Sequence, residues 1–184
     1  GSSDRNFYDR SYFNAHDRTG DVFVITGIGY YPNLGVPDAF LLVRRGDVQT
    51  AVHHSDAIDA DRLNQSGNGY RSDVVDPLQT LRIVMDETDG VAVDLTWEAL
   101  FPVVQEQRHL MRAGARVTLD AQRFAQLGSW RGGIDIDGEH IAVDPGRWIG
   151  TRDRSWGVRP VGEPQPAGRP ADPPFEGMWW LYVP

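Results

Sequence analysis

The sequence predicts an all-β protein, an antiparallel barrel or sandwich with one short helix. Three observations carry that expectation. Apolar segments pair off around Gly46-Asp47, Asp89-Gly90 and Asp137-Gly138, and Gly takes the positive φ of a tight hairpin turn at no steric cost. Leu81, Ile83 and Met85 alternate with Arg82 and Val84, a period close to two. Helical stretches are few: Leu119–Leu127 suits a short helix, with Leu119, Phe124 and Leu127 on one loose face. Short strands punctuated by regular turns are the pattern of sandwiches and barrels.

Residues 4–20 mix Phe7, Tyr8, Tyr12 and Phe13 with Asp, Arg and Asn. They read as an ordered lead-in packed on a sheet. Val22–Tyr31 is rich in Val, Ile and Tyr and reads as a strand, ended by the turn Pro32-Asn33-Leu34-Gly35. Ala39–Arg45 and Val48–His54 form a hairpin across Gly46-Asp47. Residues 55–69, with Asn64, Ser66, Gly67, Asn68 and Gly69 clustered, read as loop. Leu78–Met85 and Val91–Trp97 make the next hairpin. Val104–Arg116 suits either a strand or a short helix, and Ile134–Val143 forms a hairpin across Asp137-Gly138.

Residues 160–174 hold six prolines and read as an extended loop or linker. The aromatic run Met178–Val183 reads as a strand. An unpaired strand edge is a liability, so this run either closes the sheet or leads into further β-structure.

The totals exclude several function classes. At 184 residues the chain fits one domain spanning 1–184. No apolar run reaches the length of about 18 residues that spans a membrane, and the first residues lack the apolar stretch of a secretory signal. The expected location is the cytoplasm. A net charge of -8 argues against a nucleic-acid partner, because neutralising phosphates needs a basic face. There is no Cys, hence no thiol nucleophile or thiolate metal site. There is no Lys either, so no Schiff base forms within the chain. The five His residues are scattered and show no ligand spacing, so no metal is expected. No Gly-rich phosphate loop precedes a helix, no G-x-S-x-G elbow occurs, and no cofactor is expected.

The chemistry concentrates in Ser129–Pro160. There the Asp137-Gly138 hairpin is followed by Arg152-Asp153-Arg154-Ser155-Trp156-Gly157. Trp156 can supply a flat apolar wall and stabilise a cation by its π face. Arg152 or Arg154 can hold a ligand carboxylate in a bidentate fork. Asp153 becomes a general acid if burial raises its pKa. The alternative is an Asp153 carboxylate ion-paired to a neighbouring Arg, the cluster locking a strand end. Gly27–Asn33 (GIGYYPN) is a second candidate. Tyr30 or Tyr31 would donate a hydroxyl to a ligand that Asn33 orients. Alternatively the tyrosines pack and Pro-Asn makes a turn.

The D-G hairpin followed by R-D-R-S-W-G resembles the AttH-like and carotenoid 1,2-hydratase-like superfamily. The Tyr31-Pro32-Asn33 segment is similar to one in its actinobacterial members. The resemblance is strongest over 129–159 and moderate over 7–35. It implies a lipocalin-like fold and two β-domains, of which this chain is the first half, with a second β-domain of the same chain as partner. It also implies an apolar or amphipathic small-molecule ligand, such as an isoprenoid, sterol or acyl compound. The alternative it implies is a cofactor-free hydratase or isomerase acting on an isoprenoid-type double bond, with Asp153 and Trp156 as catalytic residues. Arg152, Arg154, Tyr30, Tyr31 and Asn33 would then contact the ligand. Trp156 matches the superfamily pattern. Arg154 stands where the carotenoid hydratases have His, and Arg does not shuttle protons near neutral pH. The carboxylate these enzymes use further along has no counterpart here; Tyr182 lies near that spacing.

Overall fold

The computed structural model describes residues 2–58, 60, 61, 64–159, 168, 177 and 179. The proline-rich 160–174 segment and the Met178–Val183 run, each read from sequence, therefore lie essentially outside the described residues. Thirteen strands follow one another: β1 (Phe7–Asp17), β2 (Val22–Tyr31), β3 (Val36–Arg45), β4 (Val48–Ser55), β5 (Asn64–Gly67), β6 (Tyr70–Asp76), β7 (Thr80–Thr88), β8 (Val91–Ala99), β9 (Val104–Gln105), β10 (His109–Ala113), β11 (Arg116–Ile136), β12 (Glu139–Val143) and β13 (Trp148–Val158).

Every pairing is antiparallel, and the main path runs β4-β3-β2-β1-β13-β11-β8-β7-β6-β5. β9, β10 and β12 pair with β11 off that path. The sheet curls until its ends nearly meet. Asn68 N, just after β5, donates to Asp56 Oδ2, just after β4, at 3.2 Å. The Tyr30 hydroxyl accepts from Ser66 N at 3.0 Å and donates to Ser66 O at 3.2 Å, which ties β2 to β5. The result is the all-β, nearly closed, lipocalin-like barrel that the hairpin pattern predicts.

The turn chemistry explains the sharp reversals. Asp89 and Gly90 take φ of 51° and 79°, and Asp137 and Gly138 take 50° and 82°. Positive φ at both central residues is the type I′ geometry whose twist matches that of paired strands. Asn68 and Gly69, at 40° and 92°, do the same between β5 and β6.

Three expectations are corrected. Leu119–Leu127 is not a helix; among the described residues there is none. It is the first half of the 21-residue β11, paired with β13 on one side and with β10 and β9 on the other. Gln, Ala and Leu favour helix only weakly, and ladders on both sides override that preference. The lead-in is also a strand: β1 lies between β2 and β13 and contributes Phe13 and Ala15 to the core. Finally, residues 64–67 of the presumed loop form the short edge strand β5.

Alternation along the strands sends one set of side chains inward. Trp97, Trp130, Phe13, Tyr70, Ile83 and Leu95 fill the barrel interior, each almost fully buried. Two glycines make room for the indoles. A Cβ at Gly128 would meet Trp97 Cε2 at 2.3 Å, and one at Gly150 would meet Trp130 Nε1 at 2.7 Å. The Trp130 indole N–H donates to Asn14 O at 2.8 Å. Among the described residues no helix is long and apolar enough to cross a membrane.

Candidate functional site

β1, β13 and β11 run on past the packed barrel. Their registers align Phe13 with Arg152, Ser11 with Arg154 and Asp9 with Trp156. On the other side Gln126 stands opposite Arg152, Phe124 opposite Arg154 and Gln122 opposite Trp156. Because side chains alternate, the even-numbered residues of β13 continue the inward face that begins with buried Trp148. Beyond the core, this face carries Arg152, Arg154 and Trp156 in succession.

An open recess of about 410 Å³ sits there, lined by Phe7, Asp9, Phe124, Arg154 and Trp156. Phe124 and Trp156 pack with ring centroids 6.2 Å apart and planes tilted by 59°. The one ion pair in the lining is bidentate. Arg154 Nε donates to Asp9 Oδ1 at 2.9 Å and Nη2 to Oδ2 at 2.7 Å. That pairing holds the Arg154 pKa above its ordinary value, against the opposing effect of burial.

Arg152 lies deeper, only 5% exposed. Its guanidinium carbon is 4.6 Å from the Trp97 ring centroid and 5.2 Å from that of Phe124. Nε donates to Gln126 Oε1 at 3.0 Å. Gln126 is fixed in turn, its Nε2 donating to Leu78 O at 3.1 Å and to Phe101 O at 2.6 Å. Burial, and then the nearby Arg154 charge, push the Arg152 pKa down to about 10. The group is still protonated near neutral pH.

Asp153 faces the other way. The groups acting on its charge are Arg123, Glu106, Arg10 and Arg159, none of which lines the recess. Burial raises its pKa, with Arg123 opposing. The structure thus brings Arg154 and Trp156 together, with Arg152 beside them, and places Asp153 on the opposite side of the sheet. Tyr30 is fully buried, its hydroxyl engaged with the β5 backbone. Tyr31 packs over Gly29, where a Cβ would meet its hydroxyl at 3.0 Å. Asn33 Nδ2 donates to Ser2 O at 2.9 Å and Asp4 O at 2.6 Å, fastening the chain start to the turn after β2. None of these three borders the recess.

Sequence reasoning missed Phe7, Asp9, Phe124, Gln126 and Trp97. A period-two reading of 119–127 would have found two of them, since Gln122, Phe124 and Gln126 then share a face with Arg152 and Trp156. In a second, larger recess near Arg82, Asp94, Arg131 and His140, Arg82 pairs with Asp94 at 2.6 Å, His140 with Asp135 at 2.8 Å, and Arg131 with Glu98 outside the lining. No group of three or more His, Cys, Asp or Glu converges among the described residues.

A family model described as a family of unknown function (DUF8625) matches residues 1–184. No curated protein matches the chain. Among solved structures, the chain is similar to kievitone hydratase from Nectria haematococca, at 17% identity and TM-score 0.59, over 82% of this chain and 47% of that one. It is similar to CghA with Sch210972, at 16% identity and TM-score 0.56, over 83% of this chain and 46% of that one. A further crystal structure of CghA gives 15% identity and TM-score 0.53, over 83% and 46%. At such identities the likeness shows a shared fold. The chain spans about half the length of these structures.

Proposed function

The chain belongs to the family of unknown function DUF8625, and we propose that it is a small-molecule-binding β-domain, the first half of a two-domain lipocalin-like protein. Its ligand is apolar or amphipathic, of the isoprenoid, sterol or acyl kind. The observation that carries this reading is the recess of about 410 Å³ between Phe7, Phe124 and Trp156. It lies beyond a core of buried apolar side chains that includes Phe13, Trp97 and Trp130. Aromatic walls with a few convergent polar groups are the usual make-up of a small-molecule site. A volume of this order holds a ligand of moderate size or one end of a longer one. The chain spans about half of kievitone hydratase and of CghA, which supports a further domain beyond the matched region.

A second reading, a cofactor-free hydratase or isomerase, draws on the fold shared with a protein named as a hydratase. Such chemistry needs a carboxylic acid kept neutral and aimed at the double bond. Asp153 has the raised pKa but lies on the far side of the sheet from Trp156, and both carboxyl oxygens of Asp9 are engaged by Arg154. The binding reading is therefore preferred, with any acid supplied by the other half.

Extraction of the purified protein with organic solvent, followed by mass spectrometry, tests the proposal. One apolar species at near-stoichiometric amount, lost from Trp156→Ala, is expected. Equal retention by Trp156→Ala would remove the recess as its location.

A further inference from the structure

The guanidinium of Arg152 carries the most unusual balance of charge and contacts among the described residues. It is buried, it is cationic, and its neighbours offer no anion. The one side-chain acceptor it meets is the neutral amide oxygen of Gln126. Its Nη2 is shielded from solvent and makes no hydrogen bond. The indole N–H of Trp97, whose ring stacks on this guanidinium, is likewise buried without an acceptor. Two adjacent side chains therefore each hold an unspent donor, one of them charged. Leaving a single buried donor unsatisfied is costly, and a charged one more so. Arg154, two residues on, differs in that its Nε and Nη2 both donate to the Asp9 carboxylate. A ligand acid would have to displace a bidentate carboxylate to use it.

We propose that Arg152 and Trp97 form the receptor for an anionic head, a carboxylate or similar oxyanion, so that the ligand of this domain is an acid that enters head first with its apolar body left against Phe124 and Trp156. The assignment rests on the binding reading above and narrows it to one class of ligand. Three features suit it. Carboxylate oxygens carry enough lone pairs to satisfy both orphan donors together. The rings of Trp97 and Phe124 lie 4.6 and 5.2 Å from the guanidinium carbon, and Gln126, itself anchored by two backbone carbonyls, holds its Nε. Such preorganisation makes an Arg fork selective for planar oxyanions. Phe124 also touches both the guanidinium and the recess. Its ring is the element that must turn aside for a head group to pass.

The test uses three probes with one tail and different heads: octanoate, 1-octanol and octylammonium. Each is titrated into the 184-residue chain by calorimetry and by tryptophan fluorescence. Octanoate should bind roughly 10- to 100-fold more tightly than 1-octanol, the factor carried by one or two charge-assisted hydrogen bonds. Octylammonium should bind most weakly. Arg152→Gln should erase the preference for octanoate while leaving 1-octanol unchanged. Trp97→Phe keeps an aromatic six-membered ring and removes the N–H; it should lower octanoate affinity several-fold and 1-octanol affinity by less, since a neutral acceptor gains less from that donor. A preference for octanoate that survives Arg152→Gln and Trp97→Phe overturns the assignment. So does equal binding of octanoate and 1-octanol to the unaltered chain, which leaves the recess standing. Absence of binding by all three probes overturns the recess reading and the receptor with it.

Discussion

Arg152 and Arg154 occupy the same face of one strand, two residues apart, and should respond oppositely to replacement by Met. Burial lowers the Arg152 pKa from the ordinary guanidinium value to about 10. At about 1.4 kcal/mol per pH unit, keeping that charge inside costs the fold about 3 kcal/mol. Arg152→Met removes this cost. It also removes the hydrogen bond to Gln126, worth about 1–2 kcal/mol, and stacking on two rings at about 1 kcal/mol each. A Met sulfur against the same rings returns about 1 kcal/mol. The terms nearly cancel, so Arg152→Met should change stability by no more than about 1 kcal/mol. Arg154→Met instead strands Asp9. A fully buried carboxylate left alone costs about 3–5 kcal/mol; with Asp9 still 22% exposed, about 2 kcal/mol is the better figure. For a chain of this length 1 kcal/mol moves Tm by roughly 2–4 °C.

Thermal melts followed by circular dichroism should place Arg152→Met within about 4 °C of the parent and Arg154→Met about 4–8 °C below it. The lowered Arg152 pKa destabilises the fold below about 10, and that cost fades only as pH rises from there towards the ordinary guanidinium value. The Arg152→Met shift should therefore be flat between about pH 6 and pH 8. If Arg152→Met fell as far as Arg154→Met, Arg152 would be an ordinary structural cation and the reasoning that sets it apart would be refuted.

Asp153→Asn should raise stability at neutral pH, because burial raises the pKa of this carboxyl and its charged form is disfavoured in the fold; the gain should vanish below about pH 3.8, where both folded and unfolded chains are protonated, as melts across the acid range will show. Gly150→Ala should be severely destabilising, by about 3 kcal/mol or more, an overpacking penalty at the upper end. The added Cβ would lie 1.9 Å from Asn14 O and 2.7 Å from Trp130 Nε1, breaking the bond between them, and near-UV circular dichroism should register the displaced indole. Tyr70→Phe should cost about 1 kcal/mol by removing the buried hydrogen bond to the Thr26 hydroxyl at 2.9 Å, read by denaturant unfolding. Trp156→Ala should weaken 1-octanol and octanoate alike, since it removes a wall of the recess and leaves the head-group donors in place.

Local chemistry determined the strands and their turns. Asp89-Gly90 and Asp137-Gly138 had to be tight hairpin turns, because few residue pairs accept positive φ in succession, and Val22–Tyr31 matched β2 residue for residue. Alternation likewise marked Leu81, Ile83 and Met85 as one buried face. The residues of R-D-R-S-W-G were legible as chemistry, and Trp156 does border the recess. Their separation onto two faces was also implicit in a strand of period two, once that strand is known to be regular. What only the tertiary structure decided is pairing. Whether Leu119–Leu127 is helix or strand depends on ladders from β13, β10 and β9, none of which its own residues encode. Whether Arg152 or Arg154 is paired depends on Asp9, about 145 residues distant in sequence and brought opposite by the β1–β13 register. Whether Arg152 is stacked depends on Trp97 from β8. Strand propensity is local, whereas the neutralisation of a charge is set by whatever the closed sheet brings within reach, and so the candidate site came into view only when the barrel had curled.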